Sequence, residues 1–351
     1  MRNILQKLRL LAVSSLVSMA TIGLAHAQGD RITLKYSDLF PAQYPFGKLS
    51  QEYAEAIKTA TNGRVEIQVF PSGTLTPPAQ CYEGVVQGLA DICQAVLAYT
   101  PGRFPLMNVV DLPGYPVNGN ITTQMANRIY SEFKPKEFDD VQVLYLHAHP
   151  PGHILTVDKP VKALEDLKGL RIRATGQSAE AVTALGAAPV SMPITQTYEP
   201  LRRKVVDGTD GSLNTLRYYR FAEVTNFSTL SNAVGYVSTF VIAMNKQKWN
   251  SLPDDVKTAF VKVNAEFVQK AADLWNTIEL DGYKFAKDKG HTFIVLSPEE
   301  EKRWQETALP VVRKNFIERA SKAGVAGDKA LEARDKLMTE LGVKYPPIKR
   351  D

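Results

Sequence analysis

Apolar and polar residues alternate in RITLKYS from residue 31, which puts Ile32, Leu34 and Tyr36 on one side of an extended chain. That is the period of a half-buried strand. After PAQYPFG, the segment KLSQEYAEAIKTATNG carries Leu49, Tyr53, Ile57 and Ala60 at helical spacing and ends in Asn62-Gly63, a helix stop signal. RVEIQVF alternates again through Val65, Ile67 and Val69, QCYEGVVQGLA predicts a short helix, and DICQAVLA a buried strand. The order β-α-β-α-β implies a sheet with parallel neighbours and helical crossovers.

Further strands are expected in VQVLYLHAHP (141–150), in HILTVDK (153–159), which carries that run into a new region, and in LRIRATG, APVSMPI and FVIAMN. The longest helical pattern covers 251–290. Ser251 and Asp254 have the spacing of a capping box, Val256, Phe260, Val263, Phe267, Leu274 and Ile278 form the apolar stripe, and Gly290 ends it. Such a helix is about 50 Å long, more than the width of one small domain, so it should run across two. Ser297-Pro298-Glu299-Glu300 starts another helix. The expected fold is α/β: two lobes around a central cleft, braced by a long helix spanning both. Lobe I takes 28–150 plus 237–278. Lobe II takes 151–236 plus 279–351, with the C-terminal helices. In open α/β sheets, ligands sit at the C-terminal strand ends, and a cleft between lobes is a preferred site.

Composition changes this picture at the N-terminus. Residues 1–27 combine Arg2, Lys7 and Arg9, an apolar run and Ala25-His26-Ala27, the anatomy of a secretory signal peptide cut after Ala27; an uncleaved anchor is the alternative. Its removal lowers the formal net charge from +5 to +2, which leaves no electrostatic case for nucleic acid. No cysteine lies there for lipid attachment, so the expected location is the periplasm. Cys81 and Cys93 then sit in an oxidising compartment, as a disulfide or as two buried thiols, and their spacing matches no zinc motif.

Two constellations could carry chemistry. Arg171 and Arg173 share a face of LRIRAT. Arg173 lies nearer the C-terminal strand end, where a following helix starts near Gln177-Ser178 and turns its N–H groups to the cleft. Guanidinium and helix N-terminus both suit a carboxylate. Residues alone leave open whether Arg173 holds an anion or is a solvated surface charge. HAHPPGH places His147, His149 and His153 within seven residues, either as zinc ligands of a periplasmic hydrolase or as separate hydrogen-bonded histidines. Nucleophile elbow, phosphate loop and dinucleotide fingerprint are all missing from the sequence, and paired acids such as Asp254-Asp255 sit at helix starts, where the dipole accounts for them.

Five segments in order resemble the solute-binding subunits of tripartite ATP-independent periplasmic (TRAP) transporters: FPSGTL with GLAD, YTPGRFPLMNVVDLPG, DLKGLRIR, GAAPVSMPITQTYEPLRRKVVDG and NKQKWNSLPDDVK. The resemblance implies a periplasmic-binding-protein-like fold. It also implies capture of a small organic acid, delivery to the small and large membrane subunits of a permease, lobe closure about a hinge, a monomer, and neither enzymatic activity nor cofactor nor metal. It places the carboxylate-binding arginine on Arg173 and a second polar contact on His153, and gives Tyr198 a structural role. The family's V-D-G-Q-E-N departs here to VDGTDGSLN. Gly211 stands where an asparagine helps hold the carboxylate, and Ser212 or Asn214 is expected to take over. The acidic–Trp pair of calcium-bridged members is absent. Tyr44, Tyr99, Ile194, Tyr236 and Phe240 complete the expected pocket. An ATP-driven importer's binding protein and a sensor-coupled one remain alternatives with the same fold.

Overall fold

The computed structural model describes residues 31–114, 118–346 and 350; the segment read as a signal peptide lies outside them. The first alternation forms β1 (Ile32–Ser37) and the second β2 (Val65–Phe70), paired parallel with Ile32 opposite Val65. Between them α1 (Pro45–Ala60) buries Leu49, Tyr53 and Ile57, and the chain turns away at Asn62 and Gly63, both at positive φ. Next come α2 (Cys81–Val86) and β3 (Ile92–Val96), which lies parallel to β1 on its other side. Cys81 and Cys93 are joined as a disulfide, with Cα atoms 5.9 Å apart. Helix α3 (Gly119–Phe133) leads to β4 (Val141–Ala148). This first sheet has the order β2-β1-β3-β10-β4; its β10 (Thr239–Asn245) returns from later in the chain and runs antiparallel to β3 and β4.

The second sheet, β11-β9-β5-β8-β6-β7, begins at β5 (His153–Thr156), so HILT opens a new sheet instead of prolonging β4. Its other strands are β6 (Arg171–Arg173), β7 (Ala188–Val190), β8 (Gly208–Gly211), β9 (Phe227–Leu230) and β11 (Thr292–Val295). Strand β6 lies between β7 and β8, parallel to both, and α4 (Gln177–Ala184) follows it. The chain crosses between the sheets at 149–152 and again at 231–238. These crossings run side by side: His149 N donates to Ser238 O at 3.4 Å and Gly152 N to Tyr236 O at 2.9 Å. Gly152 has no room for a side chain, since a Cβ would sit 2.2 Å from the Tyr236 ring.

Helix α5 (Asn214–Tyr218) follows β8, and α6 (Lys246–Ser251) follows β10. The long helix α7 (Asp254–Asp288) makes a third connection. Its Phe260, Phe267 and Trp275 belong to a core shared with β1 and α1, whereas Tyr283 and Ala286 belong to a core with Leu155, Leu213 and Phe221. The change of core falls between Ile278 and Tyr283. The expected capping box does not form: Ser251 ends α6, its hydroxyl donating to Lys248 O at 2.7 Å, and Pro253 precedes α7 without a side-chain cap. Proline there has already broken the chain between the two helices.

Helix α8 (Pro298–Lys322) starts as expected, with Ser297 Oγ accepting from Glu300 N at 3.2 Å. The C-terminal helices, expected together in lobe II, divide. Trp304 and Ala308 of α8 enter the core around Ile172 and Val182, but its Val312, Phe316 and Ala320, with Leu337, Met338 and Leu341 of α9 (Gly327–Lys344), enter the core around Ile121 and Met125 of lobe I. The buried Arg334 helps fix α9 there by donating to Leu112 O at 2.6 Å. Among the described residues no helix is long and apolar enough to cross a membrane.

Candidate ligand-binding site

Strand β6 separates the two arginines. Arg171 is half-exposed and forms a bidentate pair with Asp207, Nε to Oδ2 at 3.0 Å and Nη2 to Oδ1 at 2.8 Å, with Lys204 O also 2.8 Å from Nη2. Ile172 is buried in the lobe II core. Arg173 is 2% exposed. Its Nε and Nη2 donate to Met192 O at 2.9 and 2.7 Å, and Nη2 reaches Tyr99 Oη at 3.4 Å. A carbonyl thus clamps one edge of the guanidinium, and the group lines a cavity at the strand end.

Both lobes build this cavity. Phe40 and Tyr44 come from the loop after β1, Tyr99 from the turn after β3, Phe240 from β10 and Trp275 from α7. Lobe II adds Arg173, Ile194, the Gly211–Thr215 turn and Tyr219, and the crossings add His149, Tyr236 and Ser238. Phe40 stacks on Tyr44 at 4.7 Å, Phe240 lies 5.5 Å from Trp275, and Tyr44 lies 5.3 Å from Tyr219. Three hydrogen bonds join the lobes at the cavity: Tyr44 Oη donates to Asn214 Oδ1 at 2.8 Å, Ile194 N donates to Tyr99 Oη at 2.9 Å, and Arg173 Nη2 donates to the same Tyr99 oxygen at 3.4 Å.

The structure brings Arg173, Gly211, Ser212, Asn214, Tyr44, Tyr99, Ile194, Tyr236 and Phe240 together around the cavity. His153 is not among the lining residues. It is buried on β5, and its Nε2 accepts from Arg350 Nη2 at 3.2 Å. Burial, then the neighbouring Arg350 charge, holds its pKa well below the usual histidine value, so it offers no second cation. The start of α4 is not among the lining residues either: Gln177 Oε1 accepts from Arg319, and Ser178 Oγ donates to Thr175 O at 2.9 Å. At Gly211 a Cβ would lie 3.5 Å from Thr215 Oγ1, an ordinary contact. The polar wall beside it comes from Asn214 and Ser212, bonded Nδ2 to Oγ at 2.5 Å. Tyr198, given a structural role, donates to Glu223 at 2.9 Å at the surface.

Sequence reasoning missed Phe40, Val96, Thr215, Tyr219, Ser238 and Trp275 as lining residues, and weighed His149 only as a metal ligand. The histidines hold separate structural posts. Trp275 Nε1 donates to His147 Nδ1 at 2.9 Å, and Gln94 faces His147 Nε2 at 3.0 Å. His149 Nε2 accepts from Ser238 N at 3.0 Å, so its Nδ1 carries the proton toward Pro150 O. Burial lowers the His147 pKa to about 3 and that of His149 to about 4, keeping both neutral at pH 7. Among the described residues no cluster of three or more His, Cys, Asp or Glu could hold a metal ion. Arg173 is therefore the one charged side chain among the described lining residues.

Two α/β lobes around a cavity, with the chain crossing between them in two side-by-side segments and a bracing helix, define a solute-binding protein of the periplasmic type. The model of the family described as bacterial extracellular solute-binding protein, family 7 (DctP) matches residues 36–319, and the chain belongs to that family, the solute-binding subunits of TRAP transporters. It is 28% identical over 334 residues to the C4-dicarboxylate-binding periplasmic protein DctP of Rhodobacter capsulatus, covering 92% of this chain and 98% of the relative. A TRAP periplasmic solute-binding protein from Desulfovibrio salexigens, solved as an open complex, is 33% identical with a TM-score of 0.78, covering 91% of this chain and 98% of that one. A TRAP solute-binding protein from Rhodoferax ferrireducens, in complex with copurified benzoate, is 27% identical with a TM-score of 0.83, covering 90% of this chain and all (100%) of that one.

Proposed function

We propose that this protein captures a ring-bearing organic monocarboxylate in the periplasm, after cleavage of its signal peptide, and delivers it as a monomer to the membrane subunits of a TRAP permease, with no catalysis of its own. The observation that carries the ligand class is the composition of the cavity: one cation, Arg173, against aromatic walls from Phe40, Tyr44, Tyr219, Phe240 and Trp275. A planar guanidinium suits bidentate pairing with one carboxylate, and aromatic faces suit a ring. A second carboxylate would meet no counter-charge there, and an unpaired buried charge is costly. The benzoate bound by the Rhodoferax ferrireducens protein supports the same class.

The site's residues bind and orient only. Arg173 anchors the carboxylate, and Tyr99 and Tyr44 tie the lobes once the ligand is in place. A thermal-shift screen tests the reading. Benzoate, 3-hydroxybenzoate and mandelate at about a hundredfold above Kd should add about 2.7 kcal/mol, a rise of several degrees. Succinate, which carries a second carboxylate and no ring, should leave the midpoint unchanged. A shift with succinate and none with the aromatic acids overturns the ligand class.

A further inference from the structure

The polar wall of the cavity is held from behind by a buried acid. Glu279 of α7 is 0% exposed; its Oε1 accepts from Leu213 N at 3.0 Å, and its Oε2 from Asn214 N at 3.2 Å and Asn214 Nδ2 at 3.5 Å. Those bonds fix the turn entering α5 and aim the Asn214 carboxamide at Ser212 and at Tyr44 of the opposite lobe. A carboxylate so buried needs a cation. Its ion-pair partner among the described residues comes from far along the chain: Arg350 Nη2 lies 4.0 Å from Glu279 Oε1, and the same nitrogen donates to His153 Nε2 at 3.2 Å. The approach of the chain end is anchored on lobe I, where Asn118 Nδ2 donates to Tyr345 O at 3.3 Å and Pro346 O at 2.7 Å.

We infer that Arg350 is a positioning residue for the ligand site: its guanidinium, oriented by His153, balances the Glu279 carboxylate that fixes Asn214 at the cavity wall. The inference rests on the reading of this cavity as the ligand site. Burial raises the Glu279 pKa and the Arg350 charge opposes that rise, in keeping with the geometry. His153 thereby acquires a use that the ligand role assigned from sequence did not give it.

Hydrogen–deuterium exchange of the 211–216 segment in the ligand-free protein tests the inference without reference to any ligand. Arg350→Met should speed exchange there about tenfold, while Arg350→Lys, which keeps the charge, retains most of the protection. In a Glu279→Gln background, Arg350→Met should add nothing, because the carboxylate it balances is gone. Unchanged exchange in Arg350→Met, or an equal increment on both backgrounds, overturns the assignment. Benzoate titration of the same variants should show Arg350→Met about tenfold weaker than the parent. Failure of the parent to bind benzoate would count against the ligand class alone and leave the exchange result standing.

Discussion

Arg171 and Arg173 are two residues apart, yet they do opposite jobs. Arg171 spends its guanidinium on Asp207 and Lys204 O at the strand's start, in water. Arg173 is buried at the strand's end and faces the cavity. Strand polarity was enough to separate them in the sequence, since only the C-terminal end of a parallel strand reaches the cleft. The environment of Arg173 suits the anion-binding role proposed for it: burial suppresses protonation of His149, which leaves Arg173 the one cation among the described lining residues. Arg173→Met should therefore abolish ligand binding by calorimetry, a loss of about a hundredfold or more for removing a buried charged hydrogen-bonding partner. Arg171→Met should change the Kd less than threefold, because an exposed pair contributes about 0–1 kcal/mol, and to folding rather than to the ligand. Equal losses in the two variants, with both folded, would sink the division of roles.

Among the elements, α7 carries the most. Its apolar stripe was legible from spacing alone, and so was its passage from one lobe to the other. Phe260 is fully buried against the first sheet, whereas the adjacent Val261 is 61% exposed. Phe260→Ala should cost about 3–5 kcal/mol in urea unfolding and Val261→Ala less than about 0.5 kcal/mol. Comparable losses at both positions would mean the helix packs on a different face. Other features did not follow from spacing. Trp275 lies on the same helix, and periodicity marks only that a position faces inward. It cannot distinguish a core residue from one whose ring meets both His147 and the cavity. Ser251 and Asp254 had the right interval for a capping box, but Pro253 between them splits the run into two helices. Helix α9 was placed with its sequence neighbours, although its apolar face fits lobe I; such a choice depends on complementary surfaces far apart in the chain. Arg350 and Glu279 belong to the same category: 71 residues separate them, and no local pattern joins them.

For the whole molecule, the question is what closure requires. The lobes meet through Tyr44 with Asn214, through Tyr99 with Ile194, and through a close approach at Gly176, where a Cβ would stand 2.9 Å from Ala98 Cβ. Gly176 has φ near +55° and ψ near −129°, so replacing it would strain the backbone whether the lobes are open or closed. Ala98 is the better probe. It sits in the turn Leu97–Tyr99 of lobe I, and a larger side chain there has space only while the lobes are apart. Ala98→Leu should therefore leave unfolding of the ligand-free protein within about 0.5 kcal/mol of the parent and weaken ligand binding about tenfold, the scale of overpacking a closed contact. Small-angle scattering separates this from a local effect on the pocket. The parent's radius of gyration should fall on adding saturating ligand, as expected for two lobes closing about the paired crossings at 149–152 and 231–238. The variant, saturated at a higher concentration, should contract less. Full contraction with unchanged Kd would show that Ala98 and Gly176 do not limit closure.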